Sequence, residues 1–305
     1  MDDNTARTGG DIHLYNRRTQ TIETEKVPGH RFLLVFYGRP WGRLVSRWVW
    51  SRVLFSRLYG WAFHQRFSRR QIKGFVHHNG IDMSEVQIPA DGFETFNDFF
   101  IRRLKPEARP IDHNPHALIA PADSRLKVFP LQTHTILNIK GVSLTLARLL
   151  GTPSVPGHFA NGICLQFRLA PCDYHRFGAV EDGVQSPIQR IGGRLYSVSP
   201  LALRHMPAIW GQNHRHWCVI ETKSLGTVLQ IEVGATGVGS IVQHRPAGGH
   251  CVRGEEKGYF QMGGSTVLVI LQRGRVQIDD DILRFSRKNI ETRVRYGEAV
   301  GRITA

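Results

Sequence analysis

Four apolar runs, at residues 162–169, 217–220, 228–233 and 266–271, are each bounded by glycine or proline and confine the C-terminal two-thirds of this chain to β-structure. Upstream the texture changes. Residues Phe93-Glu94-Thr95-Phe96-Asn97-Asp98-Phe99-Phe100 read as a helix stopped in the region of Pro106 and Pro110, and shorter helices fit 143–150 and 199–208. The expectation is an α+β, β-dominant fold, with an N-terminal amphipathic helical region followed by an antiparallel β-rich domain.

A chain of 305 residues, 41% hydrophobic, can bury one sizeable core, with or without an appended helical region. Forty Lys+Arg against 25 Asp+Glu leave a formal charge of +15, so the surface attracts something anionic: nucleic acid, an acidic membrane face or an acidic substrate. Cys164, Cys172, Cys218 and Cys251 form neither a CxxC pair nor a disulfide framework, and free thiols are expected. Residues 1–30 carry Asp2, Asp3, Asp11, Glu23 and Glu25 without an apolar core. They read as a mobile tail rather than a signal or transit peptide. Arginines interrupt every candidate for a membrane-spanning helix.

Residues 31–92 form a separate region. Trp41, Trp48, Trp50, Phe55, Tyr59, Trp61, Phe63 and Phe67 alternate with arginines, and on a helix from about residue 43 Leu44, Trp48, Phe55 and Tyr59 lie opposite Arg43, Arg47 and Arg57. Trp50 and Leu54 blur that separation. A helix lying in an anionic lipid interface and a packed helix with a solvated basic face are both compatible with it. Nucleic-acid binding fits less well, because no nucleic-acid motif accompanies the basic run.

None of the fifteen histidines has partners at metal-site spacing, so no metal is expected. Gly237-Val238-Gly239 reads as a tight turn between strands rather than a phosphate cradle. The segment from Gly254 through Met262-Gly263-Gly264-Ser265-Thr266-Val267 is more informative. Read blandly, it is a glycine-rich turn feeding a strand. Read chemically, the Ser265 hydroxyl can attack the carbonyl of Gly264, whose lack of a side chain minimises hindrance. The resulting ester eliminates to dehydroalanine at position 265, which hydrolyses to a pyruvoyl group and ammonia.

The sequence resembles the phosphatidylserine decarboxylase family over roughly residues 30–300. Four blocks carry the likeness: Thr95 to Lys105 leading to Arg109-Pro110-Ile111; Pro121-Ala122-Asp123; Leu169-Ala170-Pro171-Cys172-Asp173-Tyr174-His175-Arg176-Phe177; and Gly254 to Val267. The run from Val233 to Ile241 also resembles the family's strand-turn-strand before the cleavage site. The resemblance implies that residues 93–305 form the decarboxylase domain and that cleavage at Gly264-Ser265 yields a β chain, 1–264, and an α chain, 265–305. It further implies that Ser265 becomes a covalent pyruvoyl cofactor, that Asp123 is the carboxylate of an Asp-His-Ser relay, and that His175 is a proton donor in decarboxylation, an ordinary imidazole pKa suiting transfer in either direction. The position of the family's relay histidine is Gly178 here, and Ser124 stands where the family usually has glycine. Restoring the relay by Gly178→His is expected to leave the fold intact. The implied partners are phosphatidylserine, an anionic phospholipid membrane and the two chains of one precursor, with room for a homodimer and no nucleic acid. The implied location is peripheral, on a cell or organelle inner membrane. The alternative reading is a membrane-associated homologue that does not process itself and serves a binding or scaffolding role, on account of Gly178.

Overall fold

The computed structural model describes residues 12–25, 60–132, 136–139, 142–155, 157–197, 211–237 and 240–304. Among these, an eleven-stranded sheet dominates. Its centre is made of the long strands Arg215–Thr222, Thr227–Gly237, Gly263–Leu271, Ile163–Leu169 and Ser124–Pro130, in that spatial order and all antiparallel. The apolar runs read from sequence fall within four of these strands.

Alternation explains why the run 266–271 is apolar at nearly every position. Val267, Val269 and Leu271 point to one face, where they pack with Phe167, Leu165, Phe177 and Phe260; Leu268 and Ile270 point to the other, against Leu229, Ile231, Leu146 and Leu149. A strand buried on both faces has no polar face to show. Two three-stranded sheets complete the first face. One is Ile241–Gln243, Glu256–Phe260 and Arg176–Gly178; the other is Val276–Ile278, Ala299–Ile303 and Ala117–Ile119.

The tail expectation is corrected over residues 12–25. His13–Asn16 and Thr21–Thr24 are strands, and His13–Asn16 lies parallel to Glu291–Val294, extending the main sheet. Glu25 is then drawn into the interior, paired with Arg125 at 2.9 Å and Arg168 at 2.7 Å. Burial alone would raise its carboxyl pKa, but these two guanidinium groups outweigh burial and hold it at about 2. Arg17 adds contacts to Asp279, Asp281 and Glu298.

Helical turns occupy 60–63, Arg66–Arg70 and Gln71–Asn79. The amphipathic helix expected from about residue 43 and the helix expected at 199–208 lie outside the described residues. The helix read at 93–100 begins later, at Phe96, because Thr95 and Asp98 cap it reciprocally: the Asp98 amide donates to Thr95 Oγ1 at 3.1 Å and the Thr95 amide to Asp98 Oδ2 at 3.0 Å. The stretch read as a helix over 143–150 divides into the strand Val142–Thr145 and the helix Leu146–Leu150. All four cysteines are free thiols.

Candidate active site

Ser265 stands near the start of the strand Gly263–Leu271, opposite Gly234 on one side and Leu169 on the other. The ladder breaks just before it. Gly234 pairs with Ser265 and Gly237 with Gly263, so Ala235 and Thr236 face the single residue Gly264 across a bulge. Gly263 has φ 144°, a conformation open to glycine and unfavourable for other residues. The peptide before Ser265 therefore lies where regular pairing is interrupted. Ser265 itself is fully buried, and its hydroxyl has no hydrogen-bond partner. Leaving such a group unpaired costs about 1–3 kcal/mol; the Thr266 and Thr292 hydroxyls are buried and unpaired as well, and what sets Ser265 apart is its place directly after a glycine at the ladder break.

His175 lies in the turn between the strands Ile163–Leu169 and Arg176–Gly178. Its Nδ1 is 3.0 Å from the Asp173 carbonyl oxygen, and its ring packs against Phe100 at a centroid distance of 4.0 Å, tilted by 37°. The turn is fixed from both ends. Arg102, just beyond the helix Phe96–Phe100, donates to the carbonyls of Cys172 and Asp173, and the Phe260 amide donates to the carbonyl of His175. Asn97 of the same helix accepts from the Met262 amide at 3.2 Å, which brings helix, histidine and cleavage segment together. Burial, first of all, pushes the imidazole pKa down to about 3; the backbones of Asp173 and Gly263 oppose this, and Arg102 and Arg125 add to it. The Gly263 backbone is thus close enough to influence the ring, although Nε2 makes no hydrogen bond of good geometry. The sequence expectation of an ordinary imidazole pKa is corrected: the buried ring is neutral at physiological pH.

Asp123 precedes the strand Ser124–Pro130, and Arg109 grips it: Nε donates to Oδ1 at 2.8 Å and Nη2 to Oδ2 at 2.6 Å. The Tyr296 amide adds a bond to Oδ1 at 2.8 Å, and Glu85 takes the other side of Arg109 at 2.9 Å. Among the described residues no histidine side chain hydrogen-bonds to Asp123. Sheet register relates two of the expected residues: Arg125 pairs with Arg168 and Arg168 with Thr266, so Asp123 and Ser265 lie at one end of the three adjacent strands, while His175 is tied to the cleavage segment through the Phe260 amide. No direct hydrogen bond joins them.

Position 178 is closed to a side chain. A Cβ there would overlap the Tyr296 hydroxyl and stand 2.7 Å from the Glu255 carbonyl oxygen. The expectation that Gly178→His leaves the fold intact is thereby overturned. Ser124 is accommodated within its strand, its hydroxyl donating to the Ala122 carbonyl at 3.1 Å. Two other histidines stand apart from this cluster: His244 contacts Glu256 at 2.6 Å, and His250 lies exposed on the edge strand Gly249–Cys251.

Sequence reasoning missed Arg109 as a partner of Asp123, although Arg109 lies in one of the blocks singled out there. It also missed Tyr296, for which no local pattern gave a signal.

Comparison with known proteins places the chain in a family. Residues 96–302 match the family described as phosphatidylserine decarboxylase. A phosphatidylserine decarboxylase proenzyme of Clostridium perfringens (strain ATCC 13124) is 39% identical over 291 residues, covering 95% of this chain and 99% of the relative. Relatives of the same name from Clostridium botulinum (strain Alaska E43) and Desulfitobacterium hafniense are each 38% identical and cover 95% of this chain and 98% of their own length. With more than half of the chain matched by the family and nearly full-length relatives above 30% identity, the chain belongs to the phosphatidylserine decarboxylase family.

Proposed function

We propose that the chain converts phosphatidylserine to phosphatidylethanolamine and carbon dioxide after cleaving itself between Gly264 and Ser265. The observation that carries this reading is the Ser265 hydroxyl, fully buried, unpartnered and directly after a glycine at a break in the strand ladder. Its oxygen attacks the Gly264 carbonyl carbon, the C–N bond breaks, and the freed amine takes a proton. Elimination of the Gly264 carboxylate then leaves dehydroalanine, which water converts to pyruvoyl and ammonia. His175, held neutral by burial, is in the form that accepts the hydroxyl proton. Asp123, locked by Arg109, fixes the neighbouring segment.

The residues present fit a small covalent carbonyl group at position 265, where a buried polar atom already stands without a partner. A pyruvoyl group there supplies an electrophilic carbonyl for the substrate amine and an electron sink as carbon dioxide leaves. His175, Phe100 and the helix Phe96–Phe100 would exclude water around it.

Membrane attachment is part of the proposal. Trp61 and Phe67 are 60% and 57% exposed among Arg66, Arg69, Arg70 and Lys73, the mix of aromatic and cationic side chains that suits an anionic interface. Among the described residues no helix is long and apolar enough to cross a membrane. One observation favours the second reading, a homologue that does not process itself: Gly178, with no histidine on Asp123. A denaturing gel and intact mass of wild type and Ser265→Ala decide between them. Two pieces from wild type and one from the variant support self-processing, and an intact wild-type chain supports the second reading.

A further inference from the structure

The backbone of Gly178 is held between two elements of the site. Its amide donates to the Pro121 carbonyl at 2.9 Å, two residues before Asp123, and its carbonyl accepts from Gln230 Nε2 of the central sheet at 3.2 Å. These two bonds tie the backbone of position 178 to both elements. The space its side chain would take belongs to Tyr296, whose Cζ stands 2.8 Å from the ideal Cβ site and whose hydroxyl overlaps it.

Tyr296 enters that space from the turn after the strand Glu291–Val294 and is 7% exposed. Three separate contacts hold it. Its amide donates to Asp123 Oδ1 at 2.8 Å, its hydroxyl donates to the Gly254 carbonyl at 3.0 Å, and its ring meets Tyr174 edge-on at 6.4 Å. One residue thus joins the carboxylate, the vacant position 178, the turn leading into the cleavage segment, and the residue before His175. We propose that Tyr296 takes the place of the side chain missing at position 178 and is the positioning residue that holds Asp123 for self-processing. The inference rests on the self-processing reading above.

The role is positional rather than that of a base. Burial, first of all, and the nearby carboxylates raise the phenol pKa, so the hydroxyl stays protonated and donates. Its effect on Ser265 passes through Asp123 and the backbone it fixes.

The test is a cleavage time course, from pH 5.5 to 8.5, of the full chain as wild type, Tyr296→Phe, Tyr296→Ala, Gly178→His and Gly178→His/Tyr296→Ala. Tyr296→Ala is expected to slow cleavage by about 10²-fold, the scale of misplacing a reacting constellation by an ångström. Both variants keep the backbone amide's bond to Asp123, but Tyr296→Phe also keeps the ring that fills the space at position 178 and meets Tyr174, and it retains most of the rate. Gly178→His alone lowers the melting temperature through overlap with the phenol. In the double variant the phenol no longer overlaps the imidazole, which then faces Asp123, Glu255, Glu256 and Tyr174, with the Glu255 carbonyl oxygen, 2.7 Å from the Cβ site, the one remaining close contact that must give way. Cleavage then recovers and falls away as pH drops through about 6.5 or somewhat above, an imidazole dependence that neither wild type nor Tyr296→Ala shows. A merely structural role for Tyr296 would leave that profile unmoved. Wild type and Tyr296→Ala cleaving equally fast overturns the inference alone, as does a double variant no faster than Tyr296→Ala at every pH. A wild-type chain that remains intact overturns the self-processing reading and this inference with it.

Discussion

A nucleophile and its base must be paired in reactivity before they are paired in space, and burial sets that reactivity for His175. An imidazole held at about 3 carries no proton at neutral pH and so has its ring nitrogen free to accept one in the proposed mechanism, while the same burial makes it a weaker base than an imidazole poised near the operating pH. His175→Asn, which removes the basic nitrogen, is expected to slow Gly264-Ser265 cleavage by roughly 10²- to 10⁴-fold. A time course on a denaturing gel checks this, and a slowing of less than about tenfold would assign the base elsewhere. The same burial has a linkage consequence. Below about 6.5 the unfolded chain binds a proton that the folded ring refuses, so stability is whole above that pH and declines as pH falls from 6.5 toward 3. Denaturant midpoints between pH 8 and 5 should therefore fall less steeply with acid in His175→Asn than in wild type. Ser265, Asp123 and His175 were each legible in short blocks of sequence. The partners that hold Asp123 were not equally so. Tyr296 is 173 residues away from it in sequence, and a contact created by sheet register leaves no local trace. The closure of position 178 is hidden for the same reason, because a glycine in a strand does not announce what fills its side-chain space.

Elements follow sequence closely where burial on two faces demands it and poorly where charge is involved. The central strands were readable because a strand between two cores must be apolar throughout. The strands His13–Asn16 and Thr21–Thr24 were not, since short polar stretches among acidic residues look solvated. Glu25 shows why that inference fails. It is a counter-charge for Arg125 and Arg168, which themselves contact Asp173 and Glu291. Glu25→Gln is expected to destabilise the chain by about 3 kcal/mol at neutral pH, because breaking a buried pair leaves charge uncompensated while the other carboxylates remain. The sign with pH is fixed by the direction of the shift. The contribution is whole above the ordinary value of 4.5 and disappears as pH falls from there toward about 2. Chemical denaturation of both proteins at pH 7 and pH 3.5 measures it, and a difference that grows toward acid would contradict the assignment.

At the scale of the whole molecule, the proposed cut would not release a domain. Residues 265–271 remain hydrogen-bonded between Thr227–Gly237 and Ile163–Leu169, while Glu291–Val294 remains between Ser124–Pro130 and His13–Asn16. The two pieces are expected to co-elute in native buffer and to separate only on denaturation, which size-exclusion chromatography followed by a denaturing gel will show. The exposed aromatics belong to this scale too. Trp61→Ser with Phe67→Ser should weaken sedimentation with phosphatidylserine-containing vesicles, and added salt should weaken the remainder, as screening shortens the reach of the neighbouring cations. Unchanged sedimentation would locate attachment on another surface. The central claim is that this family member activates itself through Ser265, and intact mass spectrometry of the purified 34.6 kDa chain tests it most directly. Wild type should give two species, one ending at Gly264 and one beginning with a pyruvoyl-blocked residue 265, while Ser265→Ala gives a single full-length mass; a wild-type chain that stays whole with lipid present would contradict the account.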